Sequence, residues 1–121
     1  MAHGTREKIQ AAEDAALEWL ATVDAGDYEQ SWHAAASLLR KAITAEQFAR
    51  SLEASVGSYG ALISRKKTES SYATSLPGAP DGEYVQIQYK TVFEKKLQAQ
   101  EIAIVAREAD GTWRVVSYNI Q

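Results

Sequence analysis

Apolar residues at Ile9, Ala12, Ala16, Trp19, Leu20 and Val23 recur at spacings of three and four, with polar residues between them. That period lines one face of a helix, predicted over about Arg6 to Val23. Ala25-Gly26-Asp27 supplies its stop: Gly26 tolerates the left-handed backbone that ends helices, and Asp27 is expected to cap the next one. Tyr28, Trp32, Ala35 and Leu39 continue the helical period, with Glu29 early and Arg40 and Lys41 late as the helix dipole prefers, so a second helix is expected to end near Ala42. Thr44 and Gln47 have the spacing of a capping box, and Phe48, Leu52 and Val56 follow at four-residue intervals. A third helix is predicted to about Val56, stopping at Gly57 or Gly60.

Beyond Gly60 the period drops toward two, and β-branched and aromatic residues become frequent. A first strand is expected within 62–75, its alternation blurred by Arg65-Lys66-Lys67 and Ser70-Ser71 as a bulge would do. Leu76-Pro77-Gly78-Ala79-Pro80-Asp81-Gly82 reads as a loop. Val85, Ile87, Tyr89, Thr91 and Phe93 then share one face of a half-buried strand, with Gln86, Gln88 and Lys90 opposite. After a turn at Glu94-Lys95-Lys96, the run Ile102-Ala103-Ile104-Val105-Ala106 predicts a third strand buried on both faces. Asp110-Gly111 is a hairpin turn leading to a last strand over 112–120, where both faces carry large apolar groups.

The order of elements gives an α+β domain over residues 6–121, with two to three N-terminal helices packed on one face of a curved four-stranded antiparallel sheet. Residues 1–5 are expected to be a disordered tail or a vector-derived remnant left where a leader has been trimmed. Composition narrows the functions. With 121 residues, 45% hydrophobic and 24% charged, the chain can bury a core without a staple, and it contains no cysteine. Disulfides, thiolate metal sites and cysteine nucleophiles are thereby excluded. A net charge of -3 argues against a nucleic-acid partner, which needs a basic surface to displace counterions. No apolar run approaches the length of a membrane-spanning helix.

The run Trp19-Leu20-Ala21-Thr22-Val23-Asp24-Ala25-Gly26-Asp27-Tyr28, Ser31-Trp32, the segment from Tyr72 through Pro77-Gly78-Ala79-Pro80-Asp81-Gly82 to Tyr84, and Asp110-Gly111-Thr112-Trp113-Arg114-Val115 together resemble a bacterial family known as domain of unknown function 4019. The resemblance spans nearly the whole chain. It implies a cone of the nuclear transport factor 2-like (cystatin-like) kind, in which helices close over a curved sheet. It also implies export, since members commonly carry a leader. Localisation is therefore expected to be periplasmic or otherwise exported if the N-terminus is trimmed, and cytoplasmic if it is not. The resemblance brings no catalytic positions with it.

Single residues offer several chemistries, each with a plainer structural role beside it. His33 could serve as a base near neutral pH, or lie exposed beside Trp32. Asp24 and Asp27 could form a carboxylate pair, but helix capping accounts for both. Tyr59, Tyr72, Tyr89 and Tyr118 supply phenols, yet the strand bearing Tyr89 has no acid on the same face to act as base. Arg65, Lys66 and Lys67, with Lys90, Lys95 and Lys96, form either a basic patch or a solvated strand edge. Phosphate loops, nucleophile elbows and metal-ligand spacings are missing from the sequence, and neither a cofactor nor a metal is expected.

The expected function is a non-enzymatic small-ligand or protein-binding module, its pocket between helices and sheet lined by Trp19, Trp32, Tyr89 and Phe93 and suited to a small apolar ligand. A small lyase or isomerase using the same pocket is the alternative. A homodimer through the outer sheet face is another, and it would bury Gln86, Gln88 or Trp113 between subunits.

Overall fold

A computed structural model describes residues 2–121, with side chains from residue 4 onward. Helix α1 spans Ala2–Asp24, earlier in its start than the periodicity indicates; of the tail expected at 1–5, residue 1 lies outside the described residues. Ala12 and Ala16 are fully buried, so their small side chains let the α1 backbone approach the sheet, and Trp19, Leu20 and Val23 fill the space beyond them. Gly26 ends the helix at φ +79°. Its amide bonds the Val23 carbonyl at 3.0 Å, and the Asp27 amide bonds that of Thr22 at 2.9 Å, which is the Schellman arrangement.

The second predicted helix is broken in two: α2 spans Tyr28–His33 and α3 spans Ser37–Ala42. Ala36 between them is extended, and its amide donates to the Val115 carbonyl at 2.8 Å, a long-range bond for which the alanine run carries no local signal. Trp32 holds the returning chain by donating its indole N–H to the Ile43 carbonyl at 2.8 Å. Asp27 occupies the N-cap of α2 but makes no side-chain cap bond, contrary to expectation; its backbone carbonyl accepts the Ser31 amide instead. The predicted capping box does form at α4, Ala45–Ala54. Thr44 Oγ1 accepts the Gln47 amide at 3.1 Å, and Gln47 Oε1 accepts the Thr44 amide at 3.2 Å. A 3-10 turn at Val56–Tyr59 then leads into the sheet.

Strands β1 (Leu62–Ala73), β2 (Tyr84–Phe93), β3 (Lys96–Arg107) and β4 (Trp113–Ile120) pair antiparallel in chain order, forming an open, curved meander. Register shifts near Ile63 and Thr68 realise the bulge that the blurred alternation of β1 implies. A further shift in β4 has a larger effect. Val115 pairs with Val105 while Ser117 pairs with Ile104, so Val116 is the extra residue and parity reverses beyond it. Trp113 and Val115 before the bulge, and Tyr118 and Ile120 after it, therefore all pack against the core. Trp113 is consequently not on the outer face, where the dimer reading placed it. That face carries Gln86, Gln88, Ile102, Ile104 and Val116, all half-buried, so the predicted two-sided burial of β3 is complete only on the inner side. Among the described residues no helix is long and apolar enough to cross a membrane.

Candidate functional site

Inner-face alternation on β3 puts Ala99, Glu101, Ala103 and Val105 under the helices. Glu101 is fully buried and is the centre of a polar network inside the apolar core. Thr91 Oγ1 donates to its Oε1 at 2.5 Å, Arg65 Nε donates to Oε1 at 2.7 Å, and Arg65 Nη2 donates to Oε2 at 3.1 Å. The Tyr118 hydroxyl donates to Oε2 as well. Arg65 turns its other edge to Asp24 at the end of α1, with bonds of 2.8 and 3.0 Å to the two carboxylate oxygens. Three chain segments are thus joined through one guanidinium, whose planar fork suits two carboxylates at once.

This network replaces two expectations. Arg65 is not part of a solvated edge, since its side chain is only 9% exposed. Asp24 is an ion-pair partner rather than a helix cap. Burial works against the Arg65 charge, but the hydrogen bonds to Asp24 and Glu101 outweigh it and hold the guanidinium more firmly protonated than usual. Burial, followed by the neighbouring Glu101 charge, pushes the Tyr118 phenol well above its ordinary value. Glu101 has both oxygens engaged and lines none of the clefts described below, so it holds the fold together rather than presenting a carboxylate to a substrate.

Tyr89 stands directly across the β2–β3 ladder from Glu101 and across β1–β2 from Lys67. The acid missing from its own strand is supplied by the neighbouring one. Its side chain is on the inner face of the sheet, and its ring lies 6.0 Å from the Arg65 guanidinium carbon. Tyr89 is 3% exposed, and among the described residues its hydroxyl is a buried polar atom with no hydrogen-bond partner. Burial pushes the phenol up to about 12. It closes the base of a cleft of about 300 Å³ between α1 and β1, walled by Glu13, Asp14 and Leu17 on the helix and by Arg65 and Lys67 on the strand. Lys67 Nζ reaches Glu13 Oε2 at 2.7 Å and Ser70 Oγ donates to the same oxygen at 2.6 Å. Burial works to raise the Glu13 pKa, but these two bonds outweigh it and hold the carboxyl below its usual value.

The four aromatic residues singled out from the sequence do not share one cavity. Trp19 donates its indole N–H to the Ser31 carbonyl at 2.7 Å and packs against Tyr118, 5.4 Å between ring centroids. It borders a groove of about 460 Å³ with His33 and Trp113. Trp32 meets His33 edge-on at 5.0 Å, and Phe93 packs on Tyr59 at 5.9 Å beside a separate cleft near Gly26. Only Tyr89 enters the cleft under α1. The sequence reading missed Glu101 and placed Arg65 in a basic patch or strand edge; the parity shared by Ala99, Ala103 and Val105 marks Glu101 as inward, once the apolar run beyond it is not taken as two-faced.

Among the described residues no group of three or more His, Asp or Glu side chains is placed to hold a metal ion. No curated protein and no solved structure matches the chain. Residues 15–118 match the family described as Protein of unknown function (DUF4019), a span that contains Asp24, Arg65, Tyr89, Thr91, Glu101 and Tyr118. With nearly its whole length matched and the resemblance read from its turns and helix ends thereby explained, the chain belongs to the DUF4019 family.

Proposed function

We propose that this chain is a non-enzymatic small-ligand-binding module of an exported bacterial protein, and that its binding site is the cleft between α1 and β1 with Tyr89 at its base. The observation that carries the reading is the Tyr89 hydroxyl: a buried phenol without a partner costs on the order of 1–3 kcal/mol, and a ligand atom that displaces the side chains covering it and bonds to it removes that penalty. Helices closing over a curved, open sheet support the nuclear transport factor 2-like arrangement. Export draws on the leader common in the family. Binding is favoured over lyase or isomerase chemistry because the buried carboxylate, Glu101, is saturated by Arg65, Thr91 and Tyr118 and does not line the cleft.

A fragment screen by amide-resolved NMR tests this. Hits are expected to shift amides around Leu17, Lys67 and Tyr89, and Tyr89→Phe is expected to weaken them while leaving the fold intact. Hits gathered on the outer sheet face, or a screen with none, would overturn the reading. Hits on the outer face would instead support self-association through Ile102, Ile104 and Val116, which are half-buried there without a covering layer.

A further inference from the structure

Taking the cleft under α1 as the binding site, we infer that its ligand is a small organic cation, an amine with a short apolar body. The charges around the cleft decide the class. Arg65 is bonded to both Asp24 and Glu101, and Lys67 is bonded to Glu13, so neither base is left to meet an anion. Asp14 on the same wall has no cationic partner among the described residues and accepts only the Gln10 amide, at 3.0 Å. Of the four charged side chains that line the cleft, Glu13, Asp14, Arg65 and Lys67, Asp14 is thus the one left without an opposite charge among the described residues.

The second, independent feature is Tyr89. Its oxygen has lone pairs to accept from an ammonium, and the oxygen is buried with nothing bonded to it. Its ring offers a face of the kind that attracts cations, already approached by Arg65 from one side. Leu17, 52% exposed at the rim, gives a short alkyl chain an apolar surface to lie on. A volume of about 300 Å³ is at the small end of ligand sites, which favours a few heavy atoms over a large ring system. An ammonium therefore meets an unpaired carboxylate on the wall and, once the floor over Tyr89 gives way, a phenol oxygen with no other partner, while a carboxylate ligand meets bases that are already satisfied.

Three probes of one length separate the classes: n-pentylammonium, n-pentanol and pentanoate, each titrated into the full chain and followed by amide shifts at Leu17, Lys67 and Tyr89. The ammonium is expected to bind about tenfold more tightly than the alcohol, with pentanoate weakest. Asp14→Asn, at an exposed position where the fold is not at risk, is expected to remove that preference. If the three probes bind this cleft equally, or pentanoate binds best, the cationic class is overturned while the cleft stands as the site. If none shifts these amides, both fall together.

Discussion

Asp24, near the end of α1, reaches Arg65 and through it Glu101 in the interior, whereas Lys8, near the start of the same helix, reaches Glu83 at the surface. Both arrangements fasten the helix to the sheet, and in both a carboxylate gathers several donors. Glu83 receives Lys8 Nζ at 2.5 Å, the Tyr72 hydroxyl at 2.9 Å and Arg107 Nη1 at 3.0 Å, and these hold its carboxyl down at about 2. The difference is the solvent. Around Glu83 water can replace any lost partner, so each bond contributes little and salt screens it. Around Glu101 no water can do so, and removing one partner leaves a charge stranded in the core. Similar chemistry thus serves as a dispensable clasp at one end of α1 and as an essential one at the other.

The largest effect expected from this contrast follows Arg65→Ala, which leaves Asp24 and Glu101 without their shared cation. It is expected to lower the unfolding free energy by roughly 3–5 kcal/mol, read from urea denaturation, and a loss under about 1 kcal/mol would erase the distinction between the two centres. Thr91→Val keeps the shape of the side chain but removes one donor to Glu101, and a loss of about 1.5–3 kcal/mol is expected by the same measurement. The smallest effect belongs to Glu83→Gln, and it depends on pH. Because the folded carboxyl titrates near 2 and the unfolded one near 4.5, Glu83 contributes stability that is fully present above about pH 4.5 and is lost as pH falls toward 2. The variant's urea midpoint is therefore expected to lie below that of the parent above pH 4.5 and to converge on it by pH 2. A constant gap across that range would show that the carboxylate's ionisation is not what stabilises the clasp.

Much of the architecture is legible in the chain because it is written locally. The Gly26 stop, the Thr44/Gln47 box, the Asp110-Gly111 turn and the alternation of β2 each act within a few residues, and each forms as expected. Features requiring distant partners are not legible in this way. The α2–α3 break depends on Ala36 bonding to Val115, and the phase change in β4 from Trp113 and Val115 to Tyr118 and Ile120, which the bulge brings to one face, reads along the chain as two apolar faces. The Arg65 centre is harder still, since Asp24, Arg65 and Glu101 come from three elements and each has an ordinary local explanation: a cap, an edge lysine-like charge and a polar residue beside an apolar run. Tyr89 was singled out for its place on the inner face, but only the packing shows that its hydroxyl is left over.

The bond from the Ala36 amide to the Val115 carbonyl also bears on how the molecule behaves in a crowded solution. A meander has two exposed borders, and each is a template on which another chain can add a strand and begin a fibril. At β4 the chain's own α2–α3 connection occupies part of that border. At β1 the two bulges break the straight run of amides, and the exposed Lys66 and Lys67 would meet like charges in any identical strand laid alongside in register. The sheet is thus partly covered at one border by its own chain and made irregular and charged at the other, so its hydrogen-bonding capacity is kept from recruiting neighbours.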